Sequence, residues 1–131
     1  MKILIVEDDF ASRLVLQEFL KHYGTVHIAV NGREAVAAAH ASLDAAEPYD
    51  LVCMDIAMPE MNGHEALKEI RALEAAAGIE APRGAKVVMT SAFTDKDNVL
   101  EALEGHCDYF LAKPIQKTKL LESLRRLGLI A

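Results

Sequence analysis

A few residue types scattered along 131 positions have the makings of one chemical site: Glu7, Asp8 and Asp9 in a row, a lone Asp55, the hydroxyls of Thr90 and Ser91, and Lys113. Each group stands at the end of a short apolar run: Ile3 to Val6, Leu51 to Met54, Val87 to Met89, and Tyr109 to Ala112. Gathering carboxylates is costly, since like charges about 4 Å apart repel by roughly 4 kcal/mol at an effective dielectric near 20. A cation is therefore required. Carboxylate and carbonyl oxygens without imidazole or thiolate describe a hard-cation site, and few protein ligands with several retained waters favour magnesium over zinc. Asp55 could then attack phosphorus. The cation and Lys113 would absorb charge on the transferring oxygens, and the Ser91 hydroxyl would bind one of them.

Such a site needs a fold that brings these run ends together. Continuous apolar runs rich in β-branched residues read as strands buried on both faces of a parallel sheet. Val26 to Val30 is a weaker fifth run. Between the runs lie helical patterns. Phe10 to His22 spaces Leu14, Val15, Leu16, Phe19 and Leu20 for a helix, with Gly24 as its closing signal. Arg33 to Ala41 is alanine-rich. Gly63 to Ala77 sets Ala66, Leu67, Ile70 and Leu73 on one face against Lys68, Glu69, Arg71 and Glu74 on the other. Asp95 to Glu104 follows Thr94 as N-cap, and Gln116 to Leu127 is the last amphipathic segment. Strand and helix alternate throughout, which predicts an α/β doubly wound, five-stranded parallel sheet with five flanking helices and right-handed crossovers. Sites in such folds form at the carboxyl ends of the strands. Gly78 to Gly84 reads as a longer surface loop.

Composition narrows the function classes. A chain of this length with 52% hydrophobic residues can bury a core as one domain without staples. The excess of 20 acids over 14 bases, a net charge of -6, argues against non-specific nucleic-acid binding. Cys53 and Cys107 fit neither zinc-site nor disulfide spacing and read as reduced core residues. The first apolar run is too short for a signal sequence and no stretch reaches membrane-spanning length, so a soluble, cytoplasmic protein is expected. His22, His27, His40, His64 and His106 share no ligand spacing and read as surface or packing residues. His64-Glu65 lacks the second histidine of a zinc-protease helix. Asp9 is a helix N-cap candidate, and Gly63 a turn glycine after Asp55.

Four segments carry a more specific likeness: Ile3-Leu4-Ile5-Val6-Glu7-Asp8-Asp9, Val52-Cys53-Met54-Asp55-Ile56-Ala57-Met58-Pro59-Glu60-Met61-Asn62-Gly63, Val87-Val88-Met89-Thr90-Ser91-Ala92, and Phe110-Leu111-Ala112-Lys113-Pro114. In this order and spacing they resemble the two-component response-regulator receiver domain, of the stand-alone, chemotaxis-regulator kind. The resemblance implies a flavodoxin-like strand order 2-1-3-4-5, one receiver domain over residues 1–131, and no output domain. It implies Asp55 as phosphoacceptor and magnesium held by Glu7, Asp8, Asp55 and the backbone carbonyl of Ala57, with Asp8 a direct ligand and Glu7 acting partly through water. It further implies Ser91 as switch hydroxyl, Lys113 as phosphate-binding lysine, Phe110 as switch aromatic, and a cis Lys113–Pro114 bond.

The implied partners are a sensor histidine kinase or phosphotransfer protein upstream and an output protein downstream, with neither nucleic acid nor membrane. A monomer or a phosphorylation-dependent dimer both remain open. Signalling would pass through the fourth helix, fifth strand and fifth helix, spanning Asp95 to Glu104, Phe110, and Gln116 to Leu127. Phe110 keeps the aromatic coupling but lacks the hydroxyl of the more usual tyrosine. Ala57 and Phe93 are apolar where the family often carries groups that position hydrolytic water, so slow self-dephosphorylation is expected. The chain would be no enzyme in the usual sense, catalysing only its own phosphorylation and slow dephosphorylation. An aspartyl-phosphate phosphatase would need a second acid where Ala57 stands. A flavin module would need hydroxyls and glycines where the three acids stand. A degenerate receiver used only for contacts would leave the acid, hydroxyl and lysine set without purpose.

Overall fold

The computed structural model describes residues 1–80, 83–92 and 96–131, with Lys96 described by its backbone alone. Its elements are β1 (Lys2–Val6), α1 (Phe10–Leu20), β2 (Thr25–Ala29), α2 (Gly32–Asp44), β3 (Leu51–Asp55), α3 (Gly63–Ala76), β4 (Lys86–Ser91), α4 (Lys96–Glu104), β5 (Tyr109–Ala112) and α5 (Lys117–Arg126). The strands form one parallel sheet in the order β2-β1-β3-β4-β5. The predicted fold class and strand order are those observed.

Alternation along the central strands divides the core into two layers. Leu4 and Val6 of β1 and Val52 and Met54 of β3 pack with Ala35, Ala39, Ala66, Leu67 and Ile70, under α2 and α3. Ile3, Ile5, Leu51 and Cys53 face the other way onto Leu16, Leu20, Leu120 and Leu124, under α1 and α5. The register sets Val6 beside Met54, Asp55 beside Thr90, and Ser91 beside Ala112, so the carboxyl ends of the strands lie side by side. Burial pushes the Cys53 thiol up to about 12 and, with the charge of Asp108 adding to it, the Cys107 thiol up to about 11. Both are free core thiols, as expected.

Helix starts follow local chemistry. Asp9 accepts from the Ser12 amide at 2.9 Å, confirming it as the N-cap of α1, and Asn31 does the same for Glu34 at 2.8 Å. Asn62 opens α3 with a capping box: it accepts from the Glu65 amide at 3.0 Å, and the Glu65 carboxylate accepts from the Asn62 amide at 3.3 Å. The expected N-cap Thr94, with Phe93, Asp95 and the loop residues Ala81 and Pro82, lies outside the described residues.

Several expectations are corrected. Helix α1 stops at Leu20, and its cap is Lys21, not Gly24. Gly24 is instead a point of close approach, where a Cβ would run into the Met1 carbonyl. Leu14 and Val15 share the helical spacing of α1 but are exposed; Leu16 and Leu20 fill the core. Strand β5 reads like β1 and β3 in sequence, yet as the sheet's edge it leaves Tyr109 and Phe110 only half-buried. The largest difference is on α3, where Arg71 and Glu74 belong to the expected polar face, yet Glu74 is buried and the Arg71 side chain is largely covered. Arg71 Nη1 donates to Glu74 Oε1 at 2.7 Å and to the Ala85 carbonyl, and its Nη2 donates to Asp108 Oδ2 at 3.0 Å. Glu74 Oε2 accepts from the Ala85 amide at 2.7 Å. Polar side chains are thus turned inward to serve backbone groups at the start of β4, which would otherwise lie buried and unpaired.

Candidate active site at the carboxyl edge of the sheet

The site begins where β1 ends. The Glu7 amide donates to the Ala29 carbonyl at 3.1 Å, which continues the sheet pairing one residue past Val6 and turns the Glu7 side chain inward at 1% exposure. Asp8, next in line, is exposed at the edge. Asp55 ends β3 at 5% exposure, held in the sheet beside Thr90, while the following Ile56 amide donates to the Thr90 carbonyl at 3.0 Å. Gly63 closes the loop after Asp55. Its amide donates to the Ile56 carbonyl at 2.9 Å, and a Cβ there would strike the Asp55 carbonyl, so the glycine serves close packing as well as the turn.

The Lys113 ammonium bridges two of these acids, donating to Glu7 Oε1 at 2.6 Å and lying 3.2 Å from Asp55 Oδ2. The Lys113–Pro114 bond is cis as expected, and the Lys113 amide donates to the Ser91 carbonyl at 2.8 Å, holding the lysine at the end of β4. Oxygens of Glu7, Asp8 and Asp55 all lie within 4.8 Å of one another. Burial raises the Glu7 carboxyl above its usual range, and the neighbouring Asp55 adds to this against the opposing pull of Lys113. Burial alone would lower the Lys113 ammonium, but the hydrogen bond to Glu7 and the charges of Asp55 and Glu7 raise it overall. Glu7 Oε2 is buried with no hydrogen-bond partner among the described residues. An all-oxygen donor set with an orphaned carboxylate oxygen fits a hard divalent cation.

Ser91 and Thr90 are both buried at the end of β4. Phe110 is half-buried against the layer that carries Met54 and Met89. Ala57 is exposed on the loop after Asp55. The structure thus brings Glu7, Asp8, Asp55 and Lys113 into one cluster, with Ser91 ending the neighbouring strand, while Phe110 lies back along β5 beside Met89. A cleft of about 560 Å³ between α1 and the segment after β5 opens beside Glu7 and Lys113, lined by Ala11, Val15, Leu16, Pro114 and Ile115.

The sequence reading missed Arg13. Its Nη1 donates to the Glu7 carbonyl at 3.1 Å and the Asp8 carbonyl at 3.5 Å, tying α1 back onto the acidic turn. An arginine in the first turn of a helix directly after an acidic run was the available signal.

Residues 3–125 match the sequence pattern of the response regulator receiver domain. The chain belongs to the response regulator receiver family. Among curated receivers it is 35% identical to the chemotaxis protein CheY of Bacillus subtilis, with 95% of each chain covered. It is 36% identical to the sensory/regulatory protein RpfC of Xanthomonas campestris pv. campestris over 98% of this chain, and spans 16% of that larger protein. Among solved receivers it superposes with a TM-score of 0.83 on the receiver domain of the Arabidopsis thaliana histidine kinase CKI1, complexed with Mg2+ and BeF3-, at 28% identity and covering 97% and 89% of the two chains. The chain is thus a receiver domain of two-component systems. No described helix is long and apolar enough to cross a membrane.

Proposed function

We propose that this receiver is a cytoplasmic phosphoacceptor switch: Asp55 takes a phosphoryl group from a sensor histidine kinase or phosphotransfer protein and passes the signal to an output protein. The observation that carries this reading is the Lys113 ammonium lying between Glu7 and Asp55, with three carboxylates within 4.8 Å. The magnesium and BeF3- in the CKI1 receiver support the same reading by likeness.

In this proposal Glu7, Asp8, Asp55 and the Ala57 carbonyl would hold magnesium, which when bound would supply positive charge to offset that of the transferring oxygens. An Asp55 carboxylate oxygen forms its bond to phosphorus as the donor's phosphorus–nitrogen bond breaks, and the electron pair leaves with the imidazole nitrogen. Lys113 already points its ammonium at Asp55 and donates to a phosphoryl oxygen, so little reorganisation is needed at the moment of transfer. The new group adds roughly -1.5 to -2 charge to the edge. The Ser91 hydroxyl turns to a phosphoryl oxygen, Phe110 moves inward, and α4, β5 and α5 present the altered face.

Incubation with magnesium and acetyl phosphate, followed by intact-mass measurement, tests the reading. Wild type gains one phosphoryl unit and Asp55→Asn gains none. A wild-type mass that never rises, or an Asp55→Asn variant that is labelled equally, overturns it.

A further inference from the structure

His64 was expected to be an ordinary surface or packing residue, yet it is 5% exposed and its Nδ1 is buried without a hydrogen-bond partner among the described residues. Its Nε2 lies 3.3 Å from Asn98 Oδ1 and 3.8 Å from Glu101 Oε2, both on α4. An amide oxygen can only accept, so Nε2 is the donor in this contact, while Nδ1 meets no partner among the described residues. An apolar side chain would fill this place without a stranded nitrogen. A buried unpaired polar atom in a folded protein calls for a compensating role, and the polar contact across to α4 supplies one.

That contact matters because few of the described side chains of α4 are buried. Of its described side chains only Ala102 is fully buried, and Leu103 is 53% exposed with Leu100 also turned outward. Segments with few buried apolar contacts open at low cost. Asn98 and Glu101 are three residues apart and so share the face of α4 turned to His64. His64 in turn follows Gly63, which is packed against the backbone of Asp55.

The geometry points to His64 as a polar latch that holds α4 against α3 and sets how readily α4 opens. The latch ties a helix whose described side chains are mostly exposed to the element that leaves the Asp55 loop. Its bearing on signalling rests on the proposed phosphoacceptor function, but its existence does not.

Native-state hydrogen exchange on the metal-free, unphosphorylated protein tests it, so that the latch and the phosphoacceptor reading fail separately. His64→Leu speeds exchange of the α4 amides about five-fold, the factor corresponding to one net hydrogen bond, while amides of β1 and β3 keep their protection. Asn98→Ala, on the outer helix and a safe variant should His64→Leu fold poorly, gives an increase of the same kind. The double variant exchanges more slowly than the product of the two single effects requires. Unchanged α4 protection in either single variant overturns the latch. So does a uniform rise across α4 and the core strands, or effects that simply multiply.

Discussion

Replacing Lys113 with methionine removes an ammonium and leaves a side chain of similar length, so it isolates the charge at the site. Glu7 and Asp55 are almost fully buried, and their oxygens lie no more than 4.8 Å apart. At that separation two full negative charges repel by about 3.5 kcal/mol at an effective dielectric near 20. Breaking a buried ion pair by deleting one partner costs about 3–5 kcal/mol in measured cases. The two figures agree, and a loss of about 3–5 kcal/mol in unfolding free energy is expected at pH 8 without metal. The sign with pH follows from Glu7, which burial and then Asp55 already raise above 4.5 and which the substitution raises further. An acid harder to ionise in the folded than the unfolded state penalises folding as pH rises above 4.5, and the penalty is complete above its folded pKa. The deficit of the variant is therefore small near pH 4.5 and larger at pH 8. Magnesium, as a substitute cation, binds the variant's folded state with less competition and narrows the gap. Urea unfolding followed by circular dichroism at pH 5 and pH 8, with and without magnesium, measures all three effects. A loss equal at both pH values and insensitive to magnesium would show that Lys113 acts through packing, and would refute the reasoning.

The remaining predictions are narrower. Ala57→Asn places a polar group where hydrolytic water would be oriented; acid-stable intact-mass time courses should show the phosphorylated form decaying about ten-fold faster, well below the 10²–10⁴ of full general-base catalysis, and unchanged or slower decay contradicts the idea. Glu74→Ala strands the Ala85 amide and deprives Arg71 of a buried partner, so denaturant unfolding should lose about 3–5 kcal/mol. Gly84→Ala, whose Cβ would run into the same carboxylate, should be destabilised in the same assay. Asn62→Ala removes the cap of α3 and should cost about 1 kcal/mol by the same measurement, with Asn62→Ser restoring most of it.

The strands were legible because burial on both faces leaves a plain trace: Ile3 to Val6 and Leu51 to Met54 have no polar residue to hide. Helix α3 was legible in extent because its apolar spacing is a local signal. Its polar residues were not. Helical periodicity assigns Arg71 and Glu74 to one face, but whether that face meets water or the unpaired amides at the start of β4 depends on neighbours distant in sequence. Leu14 and Val15 fail in the opposite sense, since apolar spacing on α1 cannot say how wide a stripe the sheet will cover. The contact of His64 was hidden for the same reason, its partner Asn98 being 34 residues away.

The sequence by itself determined that acids, a hydroxyl and a lysine would stand at the ends of parallel strands, because apolar runs and their punctuation are local properties of the chain. Only the tertiary structure decided which of those groups are buried, which oxygens Lys113 reaches, and which side chains hold one helix to another. Those outcomes depend on distances between residues remote in the chain and on the water excluded around them, and charge has its full effect only after that exclusion.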